Sequence, residues 1–336
     1  MNFEQLKVTD PDLKVLEAPS ANDVSTLVDL DHLSDNCLVV LGDKKFLKKF
    51  SELKDISKVH VIVLEKIVAD AQTLKGKVLS LTSTANIPVS MNRLSKLFYD
   101  NKSKELNCWH DGRQNGSAIV DPSSYIAQGV FLGHGVTIEA DVKVHAGCVI
   151  EGPTHISEGS EIFSNVTIYP FTKIGKNARI HSGTVIGADG YGYNFDKGVH
   201  HKVWHYGGVE ISDNVEIGAN SCVDQGTFSP TLIGQGTKVD NHVQIAHNCK
   251  VGAGVIICGH VAFGGSAVIG DYTVIGGKAA VGNGVTVGKA CQIAGNAMVN
   301  ADIEDSSVVG GHPARPIKEW LRGVAWLRQQ SLKPKG

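Results

Sequence analysis

The sequence predicts a mainly β protein: a parallel β-helix of hexapeptide repeats, preceded by a small α/β domain and followed by a C-terminal α-helix. Two observations predict this fold. Aliphatic residues recur at every sixth position through most of residues 117–308, the pattern of a solenoid whose short strands each turn one side chain inward. The chain also has 38 glycines and only 6% aromatic residues, which suits a fold with a tight turn at most corners.

The bulk composition narrows the class of protein. The chain has 336 residues, 42% of them hydrophobic, and a formal net charge of −2, so we expect a globular protein of two or three units without a nucleic-acid partner. Its first residues lack a signal-peptide pattern and no apolar run is long enough to span a membrane, so we expect a cytoplasmic protein. Seven cysteines, an odd number without a CxxC pair, argue against disulfides and zinc.

Residues 1–102 show no hexads and predict an α/β domain. Buried strands are predicted at 36–42 and 59–66 because they are short apolar runs. Helices are predicted at 21–34, 44–56 and 87–100 from amphipathic spacing and candidate caps. In the second of these helices Phe46, Phe50 and Leu53 share a face. The polar segment that follows, 101–117, is predicted to be a linker.

The hexad register identifies the solenoid and its interruptions. It is unbroken from Val120 to Ile186, stops at a segment rich in glycine, aromatic residues and histidine (187–208), and resumes at Ile211. It slips by four residues across 224–232 and then continues to Val299. Twenty-seven hexads, three to a coil, predict nine coils. An insertion that projects from a solenoid is where repeat proteins commonly place binding residues.

Stacking arithmetic proposes a site. Three hexads make a coil of 18 residues, so residue i lies beneath residue i+18 at strand spacing, about 4.8 Å. Gly265 is therefore predicted directly above His247. Counted through the slip, Gln225 lies beneath His247 with Asp224 beside it, which makes Asp224 a candidate to orient the histidine. A base with a backbone amide close beside it is what acyl transfer requires.

The C-terminal extension, 312–336, is predicted to form an amphipathic helix. Trp320, Leu321, Val324 and Leu327 share one face, and from Arg315 onward six basic residues accompany a single acidic one. Such a helix is suited either to recruit an acidic carrier protein or to cap the end of the solenoid.

Four motifs occur in a fixed order on this repeat: GADGYGYNF, EIGANSCVDQGT, DNHVQIAHN and GGHPARPI. With them the chain resembles the UDP-3-O-acylglucosamine N-acyltransferases of lipid A synthesis over nearly its whole length. The resemblance implies a left-handed β-helix, a homotrimer with active sites between subunits, and a Gram-negative bacterial source. It also implies an acyl carrier protein as donor, whose phosphopantetheine thioester is a co-substrate, and a UDP-sugar acceptor with a free amine. No other cofactor is expected.

The resemblance also assigns residues. His247 matches the general base, and Gly265 matches the glycine whose amide holds the thioester oxyanion. Expected carrier-binding residues are Arg315, Arg322 and Arg328. No metal is assigned, since His200, His201 and His205 lack carboxylate or cysteine partners at ligand spacing. The expected substrate-binding residues are Phe46, Asp43, Asp189, Tyr191, Tyr193, His205, Asp224, Gln244, Asn248 and Met298.

Three departures from the family pattern leave alternatives open. Val40, Asp43 and Phe46 stand where the family has other residues around the uracil ring. Gly284 replaces a second histidine, and Asn300 replaces an apolar residue at the floor of the acyl groove. One alternative is an N-acyltransferase for another nucleotide amino sugar with a different or shorter donor. The other is an inactive binding homologue.

Overall fold

The computed structural model describes residues 1–21, 23–103, 117–311 and 314–332. The fold class is as predicted: mainly β, with a left-handed parallel β-helix between a small N-terminal α/β domain and a C-terminal helix. Most of the predicted linker lies outside the described residues, as do the two residues 312–313 and the last four of the C-terminal extension.

The N-terminal domain is a four-stranded sheet with helices around it. The strand order is β1-β4-β3-β2, with β1 antiparallel and the other three parallel. The two predicted strands and the helices predicted at 44–56 and 87–100 are confirmed. The elements are α1 Phe3–Thr9, β1 Lys14–Glu17, β2 Cys37–Leu41, α2 Lys44–Ser51, β3 Val59–Leu64, α3 Val68–Ala71, β4 Ser80–Thr84 and α4 Ile87–Ser103, with 3₁₀ turns at Glu65–Ile67 and Gln72–Leu74.

The structure of this domain differs from the sequence analysis at three points. The helix predicted at 21–34 is wrong: Leu27 forms a parallel bridge with Leu38 of β2, so this backbone pairs with the sheet. Helix α1 was not predicted, although Asn2 and Gln5 form its capping box. In α2 the buried residues are Leu47 and Phe50, whereas Phe46 is 49% exposed.

The solenoid begins at β5 and is interrupted once by a hairpin, β17–β18. Its strands up to and including the hairpin are β5 Ile119–Val120, β6 Tyr125–Ile126, β7 Phe131–Leu132, β8 Val136–Ile138, β9 Lys143–Val144, β10 Val149–Ile150, β11 Thr154–Ile156, β12 Glu161–Ile162, β13 Thr167–Ile168, β14 Thr172–Ile174, β15 Arg179–Ile180, β16 Val185–Ala188, β17 Tyr193–Asp196 and β18 Val199–Lys202.

The remaining strands continue the same three-sided course. They are β19 Val209–Ile211, β20 Glu216–Ile217, β21 Cys222–Asp224, β22 Thr231–Ile233, β23 Lys238–Val239, β24 Gln244–Ile245, β25 Lys250–Val251, β26 Ile256–Ile257, β27 Ala262–Phe263, β28 Val268–Ile269, β29 Val274–Ile275, β30 Ala280–Val281, β31 Thr286–Val287, β32 Gln292–Ile293, β33 Met298–Val299 and β34 Val308–Val309.

These strands form three parallel sheets. The first sheet runs from β7 to β33 and the second from β5 to β31, each with nine strands, and the third runs from β6 to β34 with ten. The described strands therefore give the nine predicted coils. The repeat was expected to end at Val299, but β34 pairs with β32 and adds one more strand to the third sheet.

The hexad register is explained by the core and the corners. The recurring aliphatic side chains form one buried column from Leu132 to Val299. At the corner between the first and second sheets the backbone takes positive φ, at Asn248 (60°), Ser266 (60°) and Gly284 (69°). Asparagine and glycine tolerate this conformation best. His247, Gly265 and Asn283 each precede one of these corner residues.

The N-terminal domain docks on the solenoid through the insertion at 187–208. Tyr206 is 1% exposed and is part of the N-terminal hydrophobic core with Phe3 and Leu6. In the hairpin, Asn194 Nδ2 donates to Asn92 Oδ1 of α4 at 2.8 Å. The insertion therefore fixes the position of the N-terminal domain over the solenoid.

The C-terminal helix is α5, Ile317–Ser331, and none of its residues is buried. The predicted apolar face is present but uncovered in the single chain: Trp320, Leu321, Val324 and Leu327 are 43% to 62% exposed. No helix among the described residues has the length and apolar character needed to cross a membrane.

Candidate active site

The candidate site lies at the corner between the first and second sheets, where both interruptions of the repeat leave the solenoid. The insertion 187–208 connects β16 of the first sheet to β19 of the second, and the slip at 225–230 connects β21 to β22 at the same corner. Val223 pairs with Ile245 and Ile245 pairs with Phe263. The predicted register through the slip is therefore confirmed, and both irregular segments lie directly beneath His247.

Asn248 determines the tautomer of His247. Asn248 Oδ1 accepts hydrogen bonds from the Thr227 N–H at 3.1 Å and the Thr227 hydroxyl at 2.7 Å. The same oxygen lies 3.0 Å from His247 Nδ1. Because this oxygen can only accept, Nδ1 carries the proton and Nε2 holds the lone pair. The half-buried ring is therefore oriented as a base that acts through Nε2.

Gly265 lies over His247, as predicted. A Cβ built on Gly265 would lie 2.6 Å from both Nε2 and Cε1 of the His247 ring, so any side chain here would displace the base. Within the described residues the Gly265 N–H donates no hydrogen bond. A buried N–H without a partner is uncommon. The arrangement thus brings together a base and an unused donor, the two groups needed for addition to a thioester carbonyl.

Asp224 does not orient His247 through a hydrogen bond. Its Oδ2 accepts from Gln244 Nε2 at 3.0 Å, while Asn248 contacts the ring instead. The prediction failed because the stacking rule gives the height of a residue in the solenoid and says nothing about the direction of its side chain. Partial burial raises the pKa of Asp224, and its half-buried side chain holds Gln244, which the sequence also assigned to the site.

The insertion supplies a second acidic group. Asp189 accepts from Gln225 Nε2 at 3.0 Å and pairs with Lys202 at 2.5 Å. The rings of Tyr191 and Tyr193 contact each other, 5.1 Å between centroids, and both are exposed, 86% and 45%. Asp189 therefore has two partners near the corner, whereas the two tyrosines are open to solvent.

His205 is buried beneath the base. It is 0% exposed, and its ring meets that of His247 edge-on with 5.3 Å between centroids. His205 Nδ1 lies 2.9 Å from the Val203 carbonyl oxygen, so Nδ1 donates, and Nε2 has no hydrogen-bond partner among the described residues. Burial, reinforced by His247, lowers the pKa of His205 to about 4. The side chain is thus neutral at physiological pH, and His200 and His201 lie apart from it on the exposed hairpin strand β18.

Close packing around the two histidines depends on the glycines of the insertion, which sequence reasoning did not single out. A Cβ on Gly190 would lie 2.5 Å from His247 Cβ and 2.9 Å from His205 Nε2, and one on Gly192 would lie 2.7 Å from His205 Cε1. The backbone of the GADGYGYNF motif therefore forms the wall behind the base. Among the described residues no group of three metal-ligating side chains is arranged to hold an ion.

A cavity of about 930 Å³ separates the N-terminal domain from the solenoid. It is lined by Val40, Asp43 and Phe46 on one side and by Asn248 and Lys250 on the other. The volume is sufficient for a nucleotide-sized ligand. One carboxylate oxygen of Asp43 already caps α2, because it accepts a hydrogen bond from the Phe46 N–H at 2.9 Å. Phe46 keeps an exposed ring face at the cavity, which explains why it is absent from the core.

A column of outward-facing side chains runs up the first sheet from Gln244 to Met298. Gln244 pairs with Ala262, Ala262 with Ala280 and Ala280 with Met298, so these four side chains form one outward column. The two alanine side chains project little from the middle of the column, whereas Met298 at its upper end is 61% exposed. Asn300 lies beyond Met298 and is also exposed. The sequence assigned Met298 to the site but missed the alanines.

The expected carrier-binding residues lie away from the corner. Arg315 precedes α5, and Arg322 and Arg328 lie on it; all three are exposed. None of them forms an ion pair with the described residues. The structure therefore leaves their charges available at the end of the solenoid.

Comparison with known proteins gives consistent matches. Residues 153–188 match the family model described as bacterial transferase hexapeptide (six repeats). A UDP-3-O-acylglucosamine N-acyltransferase from Pseudomonas entomophila is 37% identical over 316 residues, 94% of this chain and 87% of that protein. One of the same name from Wolinella succinogenes is 37% identical over 173 residues, 51% of this chain and about half, 54%, of that protein. Among solved structures, a UDP-N-acetylglucosamine acyltransferase from Campylobacter jejuni is 20% identical with a TM-score of 0.46, covering 66% of this chain and 85% of that one.

Proposed function

Because the chain belongs to the UDP-3-O-acylglucosamine N-acyltransferase family, we propose that it transfers an acyl chain from a thioester to the 2-amine of a UDP-3-O-acylglucosamine in lipid A synthesis. The observation that most directly supports this reaction is the pair of His247 Nε2 and the unused Gly265 N–H, which border one small volume.

The proposed reaction is a direct transfer. The amine attacks the thioester carbon while His247 Nε2 accepts its proton, and Asn248 stabilises the resulting imidazolium through Nδ1. The carbonyl oxygen becomes an oxyanion that accepts from the Gly265 N–H. When the intermediate collapses, the C–S bond breaks and the imidazolium returns its proton to the leaving thiolate. No covalent enzyme intermediate is required.

The cavity at the domain interface is suited to the nucleotide part of the acceptor. Phe46 offers a ring for stacking on a flat base, and Lys49 and Lys250 lie among the lining residues as partners for phosphate charge. Both lysines already pair with Asp31 at 2.9 Å, and these hydrogen bonds, that from Lys250 foremost, lower the pKa of Asp31 to about 2. A diphosphate would compete with Asp31 for them.

The donor and the assembly are further parts of the proposal. We propose an acyl carrier protein as donor, docked through Arg315, Arg322 and Arg328, and a homotrimer in which a neighbouring subunit closes the open side of the corner. The exposed apolar face of α5 supports the trimer, since three such helices would cover one another. We also propose that the protein acts in the cytoplasm of a Gram-negative bacterium.

The base is tested by His247→Ala. Loss of a general base typically lowers the rate by about 10² to 10⁴, so kcat should fall by that factor while the circular dichroism spectrum stays unchanged. The matched control is His242→Ala. His242 is exposed at the corner between the third and first sheets, and this variant should retain wild-type turnover. Turnover of the His247 variant within about threefold of wild type would remove His247 from the chemistry.

A second candidate acceptor or donor is favoured by specific residues. Val40 and Asp43 in the cavity, and Asn300 two residues after Met298, favour a different nucleotide amino sugar or a shorter acyl chain. Mass spectrometry of products from a panel of UDP-amino sugars, with acyl-carrier and acyl-CoA donors of several lengths, distinguishes the candidates. Binding without turnover across the whole panel would indicate an inactive homologue.

A further inference from the structure

Asn283 completes a vertical column of polar groups at the candidate site. Gln244, Ala262 and Ala280 are in register on adjacent strands, so His247, Gly265 and Asn283 lie one above another at the same corner. Asn283 Oδ1 lies 3.0 Å from the point that a Cβ on Gly265 would occupy, and His247 Nε2 lies 2.6 Å from that point. The base and the Asn283 amide therefore border the same volume in front of Gly265.

The Asn283 amide is available to a ligand. It forms no hydrogen bond with the described residues, and the side chain is exposed whereas Gly265 beneath it is buried. The next corner residue, Gly284, has no side chain that could cover the amide. Exposed side chains change rotamer within picoseconds to nanoseconds. Asn283 can therefore turn its Nδ2 group toward an atom that enters the volume over Gly265.

We propose that Asn283 is a catalytic residue that donates a second hydrogen bond, from Nδ2, to the thioester oxyanion held by the Gly265 N–H. The proposal rests on the acyl transfer proposed above. The attacking nitrogen forms the C–N bond, the carbonyl π electrons move to oxygen, and the two N–H donors share that charge until the C–S bond breaks. A side-chain amide serves this purpose as well as a backbone amide, because both are neutral donors that need no proton transfer.

The test compares three variants of the full-length protein. Removal of one oxyanion donor costs about 10² to 10³ in kcat, so Asn283→Ala should lose that much while the KM for the sugar changes little. Asn283→Asp has the same shape but brings a negative charge to the oxyanion, so its kcat should be lower still. Asn283→His keeps an N–H donor and should recover part of the lost rate. Gln292→Ala, an exposed amide on the third sheet, is the matched control and should behave as wild type.

Each outcome decides the proposal. A kcat for Asn283→Ala within about threefold of wild type, or an Asp variant as active as the Ala variant, would overturn it. A loss confined to the KM of the donor would overturn it as well, because the residue would then act in binding only. If the wild-type protein is active and only His247→Ala is inactive, the proposed function stands and the role of Asn283 falls. A wild-type protein that transfers no acyl group overturns both.

Discussion

At the scale of single residues, the candidate site depends on space as much as on charge. His247 is held by one side chain, Asn248, and its reactive nitrogen points at the one residue in its column that has no side chain, Gly265. His205 fills the space beneath the ring without bringing charge, because burial keeps it neutral. The base thus has a tautomer determined by Asn248, packs against His205, and faces Gly265, where no side chain blocks the reactive nitrogen.

Gly265→Ala tests whether the space between residue 265 and the His247 ring is necessary for catalysis. The added methyl group would lie 2.6 Å from the His247 ring, closer than nonbonded carbon atoms approach, so the ring must turn away from the amide. We expect kcat to fall by about 10² or more with a small loss of stability. Gly311→Ala, where a Cβ would meet nothing within 4 Å, is the control. An active Gly265 variant would mean that the ring and the amide do not act at one point.

The low pKa of His205 predicts a pH-dependent stability. The pKa is about 4 in the folded protein against an ordinary 6.5, so the unfolded chain takes up a proton as the pH falls through 6.5 while the folded chain does not. Its contribution is complete above pH 6.5 and is lost progressively toward pH 4, by about 3 kcal/mol. In His205→Gln the fall of Tm between pH 7 and pH 5 should be shallower than in wild type or in His200→Gln on the exposed hairpin. Equal slopes would contradict the buried, neutral state.

At the scale of elements, the insertion joins the two domains. Its hairpin packs against α4 through Asn194, and its last segment inserts Tyr206 into the N-terminal core. Lys102 at the end of α4 donates to the Tyr206 carbonyl at 2.8 Å, and burial lowers the pKa of Lys102. Ile87, Pro88 and Met91 of α4 line the cavity at the domain interface, so its shape depends on how α4 is held.

Tyr206→Ala should therefore weaken the docking. Removal of a buried aromatic ring costs about 3 kcal/mol or more, and we expect a lower Tm together with a raised KM for the sugar as the cavity loosens. Tyr206→Phe retains the ring and should remain close to wild type in both measurements. A Tyr206→Ala variant with reduced Tm but unchanged sugar KM would show that the cavity does not depend on this contact.

At the scale of the whole molecule, two surfaces of the single chain are not covered by other parts of it. The corner at His247 has exposed side chains, Ser266 and Asn283, and α5 has an uncovered apolar face. A rotationally symmetric trimer would cover both, with the basic residues of α5 gathered at one end of the prism. Such a concentration of positive charge would attract an acidic carrier protein in a salt-dependent manner.

Deletion from Glu319 onward tests the docking role of the C-terminal helix. We expect the KM for a carrier-linked donor to rise far more than the KM for the sugar, and the wild-type donor KM to rise with salt. Light scattering should show a trimer for the wild-type protein. A donor KM unaffected by the deletion would contradict carrier docking on the helix, and a fully active monomer at nanomolar concentration would contradict a shared site.

Sequence alone determined the solenoid, its nine coils, the slip beneath His247, and the pairing of His247 with Gly265. These features follow from a short period that repeats along the chain. Because every regular coil has the same number of residues, the residue that stacks above any other can be found by counting. Even the correction for the four-residue slip required only counting, and the pairing of Val223 with Ile245 confirms it.

Only the tertiary structure decided which side chains surround the base. Asn248 rather than Asp224 contacts His247, and Tyr206 belongs to a core formed by residues of the N-terminal domain, from Phe3 to Phe98. Residues 25–28 lie beside β2 instead of in a helix, because Leu27 pairs with Leu38. Each of these outcomes depends on side-chain direction or on contacts between distant segments, and neither is encoded in local periodicity.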